Sequence, residues 1–260
     1  MRRFLDLSKV TDALEQGPGD DDARALVAAI EADGKLKQQA LASKGKQIVP
    51  NDLQQRLIIA STKAATQRVS ADPTLGPKVR AAIDAVVAAG GAEDEGLSLV
   101  YQSVLDEGFG WLEDPEDFDA TFLGETLDAL VPLATVDTDA VEAWVDAFVK
   151  QVDGPQRPLR LAVAESLLEA AWSDGPQPVA AEHVDDAMDS LARSVASNEL
   201  EQAGAVLVEF LRFLHEKKLI GATRLARLTE IAKAAALAPE QGDGEEEEGD
   251  DEDGAGDEEE

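Results

Sequence analysis

The chain has 260 residues, 44% of them hydrophobic, and a formal net charge of −31. It holds 43 alanines and 30 leucines but only 7 Phe, 3 Trp and 1 Tyr, a composition that favours helix over sheet. The absence of cysteine excludes disulfides, cysteine-ligated zinc, iron–sulfur clusters and thiol nucleophiles. Two histidines, His183 and His215, are too few for a multi-histidine metal site.

The charge is distributed unevenly along the chain. Residues 35–80 carry 9 basic and 2 acidic side chains, whereas residues 81–153 carry 1 basic and 18 acidic ones. Residues 240–260 hold 14 acids and no base, which predicts a disordered acidic tail. So acidic a chain repels phosphate backbones, and the composition therefore argues against nucleic acid as a partner everywhere except at residues 35–80.

The first residues resemble an export signal only in their paired arginines, Arg2 and Arg3. Charged residues, beginning with Asp6 and Lys9, interrupt the apolar stretch that such a signal needs. No apolar run approaches the roughly 18 residues of a spanning helix. We therefore expect a cytoplasmic protein that does not enter a membrane.

The elements predicted in chain order are all helices. The N-terminal helical segment covers residues 1–46, where Asp20–Asp22 begin a helix that Gly34 or Gly45 ends. Further helix starts are predicted at Asn51, Pro77, Glu93, Asp114, Asp137 or Thr138, residue 157, residue 180, Asn198 and Thr223. Gly90-Gly91 and Pro132 are among the predicted ends, and no alternating strand is evident.

The spacing of these helices predicts tandem helical hairpins over residues 47–239. First helices start at 77, 115, 157 and 198, and their partners at 93, 138, 180 and 222, so the period is about 40 residues. A Glu-x-Leu triplet recurs at Glu125, Glu165 and Glu209, on the first helix of three hairpins. Two all-α architectures stay open: a HEAT/armadillo-like α-solenoid, and an irregular helical bundle whose short helices give a similar period.

Enzyme motifs are absent from the sequence. It has no phosphate-binding loop, no Gly-x-Ser-x-Gly and no His-Glu-x-x-His. Neither histidine has a glutamate three residues before it, as the di-iron site of a helical bundle requires. Glu182 and His183 are interpreted as a solvated first helical turn. We expect a non-catalytic protein without cofactor or metal, with a carboxylate-only enzyme as a remote alternative.

The first candidate site is a basic face within residues 35–80. Its residues are Lys35, Lys37, Lys44, Lys46, Arg56 and Lys63. Such a face can follow phosphates, but residues 35–80 contain no aromatic side chain that could stack on bases. Three interpretations stay open: an ordinary solvated face, an electrostatic contact with the acidic 81–153 region or the tail, and contact with nucleic acid.

The second candidate is an acidic connection with aromatic residues, 109–118, between two predicted helices. The residues expected to bind a partner are Phe109, Trp111, Glu113, Asp114 and Phe118. Aromatic side chains anchor many interfaces, and loops often carry function. The alternative is that Trp111 and Phe118 fold back onto the core.

These observations lead to a functional expectation. We expect a helical scaffold or adaptor that binds a protein partner with a basic surface. The alternative is a regulator of a nucleic-acid process, whose basic 35–80 face the acidic tail masks. The sequence also predicts that Trp144 is a core residue, because it lies on a strongly amphipathic stripe between Val141 and Val152.

Overall fold

The computed structural model describes residues 7–19, 21–44, 50–113, 119–173 and 175–237, without the side chains of residues 7–9, 21, 22, 106–113 and 197. Within these ranges the chain forms twelve α-helices and no strand, which confirms the all-α prediction. The helices are α1 (Leu7–Gln16), α2 (Asp21–Glu31), α3 (Gly34–Ala42), α4 (Asn51–Ala71), α5 (Leu75–Ala88), α6 (Glu93–Glu113), α7 (Ala120–Leu133), α8 (Thr138–Val149), α9 (Gln156–Trp172), α10 (Ala181–Ser194), α11 (Leu200–Glu216) and α12 (Ala222–Leu237). A short 3-10 helix, Ser197–Glu199, precedes α11.

Aspartates begin several of these helices by accepting hydrogen bonds from free backbone amides. Asp33 accepts from the amides of Lys35 and Leu36 before α3, and Asp137 accepts from that of Ala140 at 2.8 Å in α8. Asp119 does the same for α7. Each carboxylate accepts hydrogen bonds from backbone amides that have no partner within the helix. Its negative charge also complements the positive end of the helix dipole.

Some helix ends differ from those predicted. Gly34 is the first residue of α3 rather than a terminator, because Asp33 restarts the helix at once. Helix α7 starts at Ala120 rather than near Asp114, and α6 continues past Gly108 to Glu113. At α3 and α7 the observed capping residues, Asp33 and Asp119, lie close to the predicted signals at Gly34 and Asp114, and local signals did not rank them.

Helix α4 contributes to two hydrophobic clusters. Its first half, with Leu53 and Leu57, joins what we call the small core, completed by Val10, Ile30, Leu36 and Ala60. Its second half, with Ala65 and Val69, joins the main core, which continues through residues of α5 to α12. The 21-residue helix therefore connects α1–α3 to the rest of the protein.

The helix contacts do not follow the order of a solenoid. In a solenoid each repeat contacts only its neighbours. Here α7 packs against α12, two hairpins further along the chain. The Glu125 carboxylate accepts a hydrogen bond from the Thr223 amide at 2.7 Å, and Arg224 donates to the Thr126 hydroxyl at 3.1 Å. Such contacts are typical of an irregular bundle, and the solenoid is not confirmed.

The predicted domain boundary at residues 46 and 47 lies outside the described residues, as does the predicted tail at 240–260. The division of the chain into 1–46, 47–239 and 240–260 therefore stays a prediction. In the described part of the chain, none of the helices has the length and apolar character needed to cross a membrane.

Candidate interaction surface

Helix α8 has an apolar stripe that its neighbours cover only in part. Val141, Trp144, Val145 and Val149 are half-buried, and Phe148 alone on this helix is fully buried. The reason is that α8 packs chiefly against one helix, α9, which shields one side of the stripe. The prediction that Trp144 is a core residue is therefore too strong: it lies at the edge of the main core.

The C-terminal end of α8 is held firmly in place. The Phe148 ring lies 4.8 Å from that of Phe210 and 5.7 Å from that of Phe213, centroid to centroid. The guanidinium of Arg160, which is only 3% exposed, stacks over the Phe148 ring at 3.8 Å. These contacts insert one aromatic ring from α8 into the main core and fix the orientation of the helix.

Arg160 also connects α8 to α9 and α11 through hydrogen bonds. Its Nε donates to the carbonyl oxygen of Phe148 at 3.1 Å and its Nη2 to Oε1 of Gln151 at 2.9 Å. Its Nη1 donates to the Glu209 carboxylate on α11. A buried cation with this set of partners is satisfied and rigid, so α8 presents its other side in a defined orientation.

We define the α8 surface as the half-buried Val141 and Val149 of α8 and Val152 in the bend after it, together with the acids Asp139, Glu142 and Asp146. Trp144 and Val145 are among the half-buried residues that pack against the main core, but the three valines are not. The three acids are exposed and recur at spacings of three and four, so they line one side of the helix. The α8 surface therefore joins half-buried apolar groups to a row of negative charge.

Most of this negative charge is available to a partner. Asp146 pairs with Lys150 at 2.5 Å, but both side chains are well exposed, so the pair is weak. Glu142 and Asp139 are exposed to solvent about one and two turns closer to the start of the helix. Lys150 is the only base within residues 81–153, so the local field is strongly negative.

Three residues of the predicted basic face form ion pairs with acids of the N-terminal helices. Lys37 pairs with Glu31 at 2.6 Å, and Arg56 pairs with Asp33. Lys44 pairs with Glu15 at 2.6 Å and with Asp12 at 3.2 Å. Lys35 and Lys63 are exposed, and Lys46 lies outside the described residues. Lys78 of α5, outside the predicted face, pairs with Asp128 of α7 in the acidic 81–153 region.

The predicted partner-binding residues of the 109–118 connection cannot be placed in a site. Phe109, Trp111 and Glu113 belong to α6, but their side chains lie outside the described set. Asp114 and Phe118 lie outside the described residues altogether. Their role in partner binding stays a prediction.

His183 is less solvated than the sequence suggested. Its Nδ1 accepts the Ala180 amide at 3.0 Å, and burial lowers the pKa of the imidazole below its usual value. His183 lines a cavity of about 80 Å³ together with Ser103, Gln177 and the buried Arg224. Because Nδ1 accepts that hydrogen bond, the neutral ring carries its proton on Nε2. The hydrogen bond from the Ala180 amide to His183 caps the start of α10. In the described ranges, no three metal-ligating side chains lie close enough together to hold a metal ion.

Sequence reasoning identified α8 as amphipathic but did not identify it as a surface. The signal was present, since apolar and acidic residues alternate with helical period between Val141 and Val152. The sequence does not show how many neighbouring helices cover this apolar stripe. The comparisons with known proteins add no further assignment: no family model, curated protein or solved structure matches this chain.

Proposed function

We propose that this protein is a non-catalytic interaction scaffold that binds a protein partner through the α8 surface. The observation that carries the proposal is the juxtaposition of the half-buried Val141, Val149 and Val152, which are not among the residues packed against the main core, with the exposed acids Asp139, Glu142 and Asp146. Half-buried apolar groups supply affinity when a partner covers them. A flanking row of charge supplies selectivity and speeds association.

The sign of the charge selects the chemistry of the partner. With 18 acids and 1 base in residues 81–153, the surface attracts Lys- and Arg-rich proteins and repels nucleic acid and acidic lipid. The nucleic-acid alternative has less support, because Lys37, Lys44 and Arg56 of the basic face pair with acids nearby. A cytoplasmic location is part of the same proposal, and the absence of cysteine is compatible with it.

The test is a comparative capture of partners from a cell extract. The bait is the full chain, and the test variant is Glu142→Lys, which reverses one charge of the α8 surface. The matched control is Asp84→Lys, which makes the same reversal at an exposed acid in the middle of α5. We expect a set of basic proteins that the full chain and Asp84→Lys retain and that Glu142→Lys loses.

A second bait separates the α8 surface from the acidic tail. A chain that ends at Pro239 lacks the 14 acids of residues 240–260 but keeps α8. If that chain still captures the same proteins, the α8 surface binds them. If capture is the same for Glu142→Lys as for the full chain, or depends only on the tail, the proposal is wrong.

A further inference from the structure

We infer that the α8 surface recognises a basic amphipathic helix of the partner, laid along α8. The inference rests on the proposed function and adds to it the secondary structure of the bound segment. It follows from three features of the surface: the helical period of its apolar row, the position of its acids on one flank, and the hydrogen bonding of its backbone.

The backbone of α8 excludes recognition by strand addition. Strand addition needs a free sheet edge, and no strand occurs in the described ranges. The amides of α8 are hydrogen-bonded within the helix, and Asp137 accepts from the amide of Ala140 at its start. An extended segment would therefore lose its hydrogen bonds to water without finding replacements on α8.

Recognition of a proline-rich segment is also disfavoured. Such segments bind in grooves lined with exposed aromatic rings. On α8 the Phe148 ring is fully buried, and Trp144 packs against the main core. The groups left for a partner on this surface are valines, which pack well between the side chains of another helix.

The dimensions of the surface define the segment that fits. Within α8, Val141 to Val149 spans eight residues, or about 12 Å at the rise of an α-helix, and Val152 lies in the bend that follows the helix. A partner helix of about two to three turns therefore covers the valines that lie on α8. Its apolar residues recur at spacings of three and four, like those of α8.

The acids fix which flank of the partner helix is basic. Asp139, Glu142 and Asp146 lie on one side of the valines, and α9 packs on the opposite side, where Arg160 contacts Phe148 and Gln151. The partner therefore needs Lys or Arg along one flank only. The chain's own tail cannot fill this site, because its 14 acids and the acids of α8 repel each other.

The test uses a labelled peptide of about 14 residues, built from Leu, Ala and Lys, with leucines at helical spacing and lysines on one flank. Three peptides of matched length serve as controls: a scrambled sequence, the same sequence interrupted by a central proline, and the same sequence with Glu in place of Lys. Binding to the full chain is measured by fluorescence anisotropy at about 0.15 M salt. We expect the helical peptide to bind at least about tenfold more tightly than any control.

Two substitutions with matched controls locate the binding. Val149→Ser should weaken binding about five- to tenfold, because it removes apolar contact area at the end of α8. Val87→Ser makes the same change at an exposed valine near the end of α5 and should leave binding unchanged. Glu142→Lys should weaken binding several-fold, whereas Asp84→Lys should not.

The outcomes separate the inference from the proposed function. Equal binding of the helical and proline peptides would overturn the helix inference and leave a basic-segment binder in place. Equal binding of the Lys and Glu peptides would overturn both. If none of the peptides binds, the helix inference is wrong. The proposed function is then tested by the partner-capture experiment alone. If none of the peptides binds, sedimentation of the chain alone tests whether it associates with itself. A dimer that Val149→Ser dissociates would assign the α8 surface to a second copy of this chain and overturn the inference.

Discussion

The small core and the main core of this protein differ in size and in the groups that surround them. Within the described ranges the main core contains 33 buried hydrophobic residues, including stacked phenylalanines, and the small core contains six, none of them aromatic. The main core encloses two arginines that are 3% and 5% exposed. The small core is instead bordered by exposed ion pairs, such as Lys37 with Glu31.

This difference indicates how stability is distributed. Buried apolar area supplies most of the free energy of folding, whereas exposed ion pairs add about 0–1 kcal/mol each. The small core should therefore open locally without unfolding the main core. Helix α4 limits this separation, because Leu53 and Leu57 belong to one cluster and Ala65 and Val69 to the other.

The largest effect is expected in the main core, at Phe210. Phe210 is fully buried and packs against the rings of both Phe148 and Phe213. Phe210→Ala should lower the free energy of unfolding by about 3–5 kcal/mol, because it leaves a cavity. The measurement is the urea midpoint, followed by tryptophan fluorescence. Leu237→Ala, at a residue that is 71% exposed, should leave the midpoint nearly unchanged.

An unchanged midpoint in Phe210→Ala would contradict the assignment of the phenylalanine cluster to the main core. It would also remove the physical basis of the α8 surface. Phe148 holds α8 against this cluster, so the orientation of Val141 and Val149 depends on it.

A smaller and more local effect is expected at Ile30. This residue is fully buried in the small core, and Ile30→Ala should cost about 2–4 kcal/mol of local stability. Hydrogen exchange should accelerate at the amides of α1–α3 and remain unchanged in α9 and α11. Ile59→Ala, at a 54% exposed isoleucine of α4, should change neither. Equal acceleration in α9 and α11 would show that the two cores open together, and the comparison would fail.

Much of the fold was predictable from local signals. Alanine and leucine content predicted helices, and Gly90, with φ of +97°, ends α5 close to where the sequence placed that end. Asp137 caps α8 as expected. These features depend on a few neighbouring residues, whose conformational preferences are expressed directly in the sequence.

Contacts between distant residues were not predictable. Glu125 and Thr223 are 98 residues apart, and the periodicity of α7 and α12 does not tell which helices meet. Arg160 and Arg224 are buried, although arginine usually lies at the surface. The half-covered stripe of α8 is a consequence of the same kind: its period predicts an apolar side, and only the tertiary packing decides how much of that side is covered.

The smallest effect concerns the pH dependence of the small core, through Asp33. The hydrogen bond from Arg56, followed by that from the Leu36 amide, holds the pKa of Asp33 below its ordinary value of 3.8. A depressed pKa in the folded state means that the stabilisation is present above pH 3.8 and is lost as the pH falls through the folded-state pKa. Asp33→Asn keeps the capping oxygen but removes the charge, so it should flatten this pH dependence.

The matched control is Asp72, another capping aspartate, whose pKa is lowered by the amides of Leu75 and Thr74 without a cation. We expect Asp33→Asn and Asp72→Asn to reduce the loss of stability below pH 3.8, each in its own region. Only the Asp33 effect should shrink at high salt, because only that residue pairs with a cation across helices, and salt screens such pairs. Hydrogen exchange of α3 and α5, measured against pH at low and high salt, gives both comparisons. If the two sites respond equally to salt, then helix capping, and not the ion pair with Arg56, stabilises the ionised carboxylate of Asp33 and with it the edge of the small core.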